Sequence, residues 1–129
     1  MDSKNQKLLN YQNALNRLKE AVAAYKEENS GDVVRDGMIQ RFEFTYELAW
    51  KTTKAYLEDI GLADRNNPKA VIKEAYVQKI ISNEETWIQM LRDRNMTSHV
   101  YQEEVAAEIA ERIANMYVRE FESLLMRLQ

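Results

Sequence analysis

"VVRDGMIQRFEFTYELAWKTTKAYLEDIG", residues 33–61, is the stretch whose reading decides the fold. Met38, Phe42, Thr45, Ala49, Thr52, Tyr56 and Ile60 recur at steps of three and four, the period of a helix buried along one face. Phe44, Leu48 and Ala55 make a second stripe, and Tyr46, Trp50 and Leu57 fill the space between. The polar remainder is narrow: Gln40, Glu43, Glu47, Lys51, Lys54 and Glu58, with Glu47 placed four residues before Lys51 in the favourable order. A helix apolar around so much of its circumference lies at the centre of a bundle or faces a second chain, and both are expected. It is predicted to run from about Val33 to Ile60 and to end at Gly61, a residue free to turn left-handed.

Upstream, Leu8, Tyr11, Leu15, Leu18, Val22 and Tyr25 alternate by three and four, the seam of a helix packed nearly antiparallel on a neighbour. Ser3 is its expected N-cap, and Asn29, Ser30 and Gly31 supply a stop and a turn. Downstream, Asn67 caps a short helix with Pro68 at its first position, where a missing N–H costs nothing. That helix uses Val71, Ile72 and Ala75, with Val77 and Ile80 as candidates to extend its face. Ser82 and Glu85 fit a capping box for a fourth helix carrying Trp87, Ile88 and Leu91. The last helix starts near Gln102 and presents Val105, Ile109, Ile113, Met116, Tyr117, Phe121, Leu124, Leu125 and Leu128 as one continuous core face. No repeat, low-complexity tract or period-two alternation interrupts this pattern. The expected fold is all-α: a single domain over 1–129, an up-and-down bundle of about five helices (three long, two short), as a homodimer.

Composition agrees. Three glycines and one proline in 129 residues are too few turns for a many-stranded sheet, and 45% hydrophobic with 30% charged residues describes a globular chain. A net charge of −3 argues against a general electrostatic nucleic-acid binder, although it leaves room for a local phosphate site. The absence of cysteine removes disulfides, zinc thiolates and cysteine nucleophiles. No apolar run is long enough to span a bilayer, and "MDSKNQKLLN" lacks a signal-peptide core, so a soluble, cytoplasmic protein is expected.

The chemistry candidates concentrate in "RDRNMTSHVY", residues 92–101, which holds the only histidine. Asn95, Thr97 and Ser98 compete for backbone hydrogen bonds, so the fourth helix should fray there and leave His99 in the joint before the last helix. Arg94 lies one turn earlier, near enough for both side chains to face one pocket. Arginine holds phosphate bidentately and histidine exchanges a proton near neutral pH. Together they suit metal-independent RNA cleavage: His99 activates a ribose 2′-hydroxyl and Arg94 stabilises charge on the transition state. Asn95, and with it Thr97 and Ser98, would hold the pocket, or the latter two would cap the last helix. Arginine and histidine at a helix C-terminus also simply complement its dipole, and spacing alone leaves both readings open. Glu43 and Glu47, one turn apart, are expected to be a solvated or salt-bridged stripe rather than a metal site, because the Glu-x-x-His partners of a dimetal bundle are missing. With no glycine-rich phosphate loop, no NTP site is expected, and no cofactor or metal.

Arg94, His99 and Tyr101 spell R-x4-H-x-Y, which resembles the motif of HEPN-domain proteins, in particular the HepT type. "IQRFEFTYELAWKTTKAYLEDIG", followed by "AVIKEAY" and "WIQMLRDRNMTSHVY", is similar to the nucleotidyltransferase substrate-binding protein family, a branch of the same superfamily, over roughly Leu8 to Leu128. The resemblance implies all-helical homodimers with the motif in a cleft close to the dimer axis. It implies assembly with a minimal nucleotidyltransferase of the MNT type. In HepT-type pairs it implies a metal-independent RNase toxin whose antitoxin transfers AMP to the motif tyrosine. Carried over, Arg94 and His99 would be catalytic, Tyr101 would be the modified hydroxyl, and Asn95, Ser98 and Arg92 would contact substrate, RNA being a candidate ligand. Arg92 also fits the looser R-x4–6-H spacing; Arg94 fits better because Asn95 follows it directly, as in the family's R-N pair. The runner-up expectation is a non-catalytic nucleotidyltransferase substrate-binding subunit, and the third a purely structural helical dimer.

Overall fold

The computed structural model of the chain describes residues 3–129. Ser3, the expected cap of the first helix, already stands at its first described position, and its side chain lies outside the described residues. Four helices lead to a bipartite last rod: α1 (Ser3–Lys26), α2 (Gly31–Asp59), α3 (Pro68–Val77), α4 (Glu84–Asn95), then α5 (Glu103–Arg112), a π-helical turn (Ile113–Tyr117) and α6 (Val118–Leu128). A short 3-10 turn, Thr97–His99, joins α4 to the rod. No strand occurs among the described residues. The fold is the all-helical bundle the periodicity predicts, with α1, α2 and the rod long and α3 and α4 short.

α2 is central. It packs along α1 over most of its length and also touches α3, α4, α5 and α6. Met38, Phe42, Ala49 and Leu57 are fully buried, as are Tyr46 between the stripes and Ile39 outside them. Thr45 and Thr52 sit in this core because each hydroxyl donates back to the carbonyl four residues earlier, Arg41 at 2.7 Å and Leu48 at 2.6 Å, with an α1 carbonyl, Ala14 or Lys7, at a longer 3.3 Å. Central position therefore uses up most of the helix's apolar excess. The exceptions are Phe44, 66% exposed, Val33 in the first turn at 87%, and Ile60, expected at the end of the buried stripe but 50% exposed where the helix has already closed. Gly61, at φ +89°, closes α2 as expected. The aromatic centre joins four helices: Phe42 stacks on Tyr117 at 5.4 Å between ring centroids, and Trp87 meets Phe121 edge-on at 5.5 Å. Such pairs contribute about 0.5–1.5 kcal/mol each beyond their buried area.

The last rod departs from a plain helix for a reason visible in its spacing. Ile109, Ile113, Tyr117 and Phe121 are all buried and all four apart. Successive steps of four over-rotate an α-helix of about 3.6 residues per turn. The wider π turn absorbs the excess and keeps the row facing α2. Four further expectations are corrected. Met116 is 37% exposed and Val77 67% exposed, so neither belongs to the core. The cap of α4 is Asn83, not Ser82: its side chain accepts from the Thr86 N–H at 3.1 Å. This puts Glu85 one position too early to close a capping box. Neither Thr97 nor Ser98 caps the last rod, which starts after Gln102 without a side-chain cap.

Candidate functional site

The last turn of α4 presents three charged residues in three directions. Arg92 is exposed, Asp93 is buried at 3% exposure, and Arg94 is half-buried against α2. Asp93 is fully occupied. Arg112 donates to it through Nε at 2.7 Å and Nη2 at 2.8 Å, the Tyr117 hydroxyl at 2.5 Å, and Gln89 at 3.3 Å. A buried carboxylate is tolerated only with this degree of pairing. Arg112 and Tyr117 are five residues apart, which on an α-helix puts them about 140° apart in azimuth. The intervening π turn brings both onto one carboxylate. Burial, followed by the hydrogen bond to Asp93, raises the Tyr117 hydroxyl well above its usual pKa, and the same carboxylate holds the Arg112 proton more tightly than usual.

Arg94 points the other way. Its Nε lies 3.3 Å from Glu47 and its Nη1 3.6 Å from Glu43. Glu47 is shared with the Trp50 indole N–H at 3.2 Å and Lys51 at 3.8 Å. The two glutamates are thus the salt-bridged stripe expected from their spacing, and Arg94 is what they grip. Among the described residues no group of three or more histidines and carboxylates is placed to hold a metal.

Beyond Asn95 the chain turns sharply. The Thr97 hydroxyl donates to the Arg94 carbonyl at 2.8 Å and closes the end of α4, so this buried threonine caps the helix behind it. His99 is half-buried, with its ring 6.2 Å from that of Tyr101. Tyr101 is 78% exposed, and its hydroxyl accepts only from Gln102 at 3.3 Å. Asn95 and Ser98 are exposed. No hydrogen bond joins Arg94 to His99 among the described residues; Arg94 is in an ion pair with α2, and His99 sits half-buried in the turn that follows α4. On the far side of the joint, Glu103 is held by Arg35 of α2 at 2.5 Å, and Arg35 also pairs with Asp36 at 3.2 Å and Asp32 at 3.5 Å. The hydrogen bond from Arg35 holds the Glu103 carboxyl below the usual glutamate range. Residues 94–102 are therefore slung between two anchors, Asp93 on Arg112 and Glu103 on Arg35.

Chemically, the joint offers a cation for an oxyanion, an imidazole for a proton and an accessible phenol. Spacing singles out Arg94 and His99, and the family resemblance adds Tyr101. Spacing missed Asp93, Arg112, Tyr117, Arg35 and Glu103, the residues that anchor the joint. The one signal available was an aspartate between two arginines just before the expected end of a helix.

Comparison with known proteins places the chain. The family described as "Nucleotidyltransferase substrate binding protein like" matches residues 6–129. A Haemophilus influenzae protein named "Probable ribonuclease HepT" is 32% identical over 94 residues, covering 67% of this chain and 62% of the relative. The matched part thus spans under two thirds of that relative. A crystal structure of a Thermus thermophilus protein superposes with a TM-score of 0.84 at 35% identity, covering 92% of this chain and 98% of the other. A Haemophilus influenzae structure described as the fold of a substrate binding domain of a nucleotidyltransferase gives a TM-score of 0.85 at 26% identity, covering 94% and 98%. With nearly the whole length matched, the chain belongs to the nucleotidyltransferase substrate binding protein-like family.

Proposed function

We propose that this chain is a metal-independent ribonuclease that pairs with a minimal, MNT-type nucleotidyltransferase and is silenced by it as a toxin by its antitoxin. The observation that supports the reading is that Arg94 ends α4 while His99 and Tyr101, with rings 6.2 Å apart, follow it in one anchored joint, in a chain similar to a protein named as a probable ribonuclease. His99 takes the proton of a ribose 2′-hydroxyl and the oxygen attacks the adjoining phosphorus. Arg94 leaves Glu43 and Glu47 to stabilise the charge that develops. The proton returns to the 5′-oxygen as its bond to phosphorus breaks, leaving a 2′,3′-cyclic phosphate. Asn95, Ser98 and Arg92, all exposed around the joint, are the substrate contacts of this reading. The exposed Tyr101 hydroxyl attacks the α-phosphorus of ATP on the partner, and pyrophosphate leaves. The AMP then occupies the space before His99 and competes for Arg94. The working unit is a cytoplasmic homodimer, with exposed Met96 and Tyr101 as apolar surface beside the joint.

Wild type cleaves RNA in EDTA, and His99→Ala and Arg94→Ala do not; equal cleavage by wild type and His99→Ala removes the reading. Mass spectrometry after incubation with partner and ATP finds AMP on Tyr101, and an unmodified Tyr101 removes the switch. A monomer at micromolar concentration by light scattering removes the dimer. The second reading, a non-catalytic substrate-binding subunit, draws on the ion pairs of Arg94, whose charge Glu43 and Glu47 already occupy. It stands if the complex with the nucleotidyltransferase forms while no RNA is cut.

A further inference from the structure

On their outer side α1 and α2 leave a groove of about 730 Å³. Its chemistry is unlike that of the chain as a whole. Acidic residues outnumber basic ones, 21 to 18, yet no carboxylate lines the groove. Arg17 of α1 and Arg41 of α2 both line it, and neither is in an ion pair among the described residues. The Arg41 guanidinium donates to the Arg17 carbonyl at 2.7 Å, which fixes its position and leaves its charge uncompensated. Beside them stands Phe44, a large ring 66% exposed, with the amides of Asn10 and Gln40 at the rim. Two positive charges, one of them fixed, an open aromatic face and nearby amides are the elements with which proteins hold single-stranded nucleic acid: cations for the backbone, a ring for the base.

On α2 the groove also borders the residues that pair with Arg94. Phe44 follows Glu43 in sequence, and the stripe of Glu43 and Glu47 that grips Arg94 adjoins it on α2. A helix is about 10–12 Å wide with its side chains, so a short strand crosses from one side to the other. A second copy of the chain suits the groove less well. A two-fold contact presses a patch on its own image, and this patch has two arginines and no acid to meet them. We infer that the α1–α2 groove binds single-stranded RNA, Arg17 and Arg41 taking phosphates and Phe44 stacking on a base. This rests on the RNA-directed reading of the joint and gives it a path for the strand.

The test is fluorescence anisotropy with a labelled single-stranded RNA of about ten nucleotides, within the site sizes of about 4–16 known for such grooves. It is run in EDTA on full-length His99→Ala, so that cleavage does not intervene. Phe44→Ala weakens binding about tenfold, the size of one stacked base. Phe44→Leu, apolar but unable to stack, weakens it similarly. Arg17→Gln with Arg41→Gln flattens the slope of log affinity against log salt by about 1.4, at roughly 0.7 per phosphate released from a single strand. Circular dichroism melts verify that each variant is folded. Unchanged affinity and salt slope overturn the inference. So does loss of a wild-type dimer by light scattering with RNA affinity intact, which assigns the face to a second copy. If wild type binds RNA through the groove but does not cut it, the groove stands and the ribonuclease reading falls.

Discussion

Tyr46 and Tyr117 are both buried in the aromatic centre, and they differ in what their hydroxyls meet. Tyr117 donates to Asp93, whereas the Tyr46 hydroxyl has no hydrogen-bond partner among the described residues. Burial raises the pKa of both, so both stay protonated at neutral pH. Removing a hydroxyl from a charged acceptor costs about 1.5–3 kcal/mol, and removing an unpaired buried one costs nothing or gains about 1 kcal/mol. Urea denaturation should therefore find Tyr117→Phe destabilised and Tyr46→Phe as stable as wild type or more so; equal losses would mean that Tyr46 has a partner. At this scale the sequence tells half the story. Arg94 and His99 stand out as candidates because their spacing is short and their residue types are chemical, whereas Tyr101 stands out only through the family resemblance. Asp93 does not stand out, because an aspartate flanked by two arginines looks like a solvated face. What allows its burial is Arg112 and Tyr117, 19 and 24 residues further on.

Elements are more legible than their details. The period of α1 and α2 identifies both helices and most of their buried faces, since burial repeats where the period repeats. Caps and register shifts depend on one or two atoms and are easily misplaced. Asn83 and Ser82 are neighbours of similar capping strength, and only the hydrogen bond to Thr86 separates them. Asn83→Ala should lower stability by about 1 kcal/mol and Ser82→Ala by almost nothing, as measured by thermal melts; the reverse would restore the capping box. The π turn has its own sequence signature, the unbroken steps of four from Ile109 to Phe121. Deleting the part-exposed Met116 would turn the steps after Ile113 into three, four, three and four, the period of an ordinary α-helix, and leave Arg112 and Tyr117 one turn apart and still able to share Asp93. That deletion should keep the helical signal and cooperative melting. Deleting exposed Ser123 should not, because it swings Leu124 and Leu128 about 100° off the core at about 1.5–3 kcal/mol each. If both deletions unfold the chain, the π turn is not an accommodated insertion.

In the molecule as a whole, two ion pairs hold the joint from opposite sides, and they differ in exposure. Asp93 is buried among four hydrogen-bond donors and shielded from solvent, whereas Glu103 is 70% exposed at its side chain and held by Arg35 alone. The Glu103 carboxyl is held below the usual range by that hydrogen bond. Its pairing therefore stabilises the fold fully above the ordinary glutamate pKa of about 4.3. That contribution fades as pH falls through the lower folded value, where the native carboxylate must also take a proton. Because Glu103 is so exposed, solvent screens the pair and the effect is modest. Its direction is nonetheless fixed. Melting temperatures of wild type and Glu103→Gln should differ at pH 7 and converge on acidification below pH of about 4; a constant difference would mean that Glu103 contributes through packing rather than charge. The same change bears on function. Glu103 begins the rod two residues after Tyr101, so Glu103→Gln frees that side of the joint while Asp93 still holds the other. Tyr101 should then reach a modifying partner as readily as before. Cleavage, which on the proposed function calls on both Arg94 and His99, should fall. Parallel assays of AMP transfer and RNA cleavage on this one variant would separate the two demands on the joint, and equal losses in both would argue that the anchor serves folding alone.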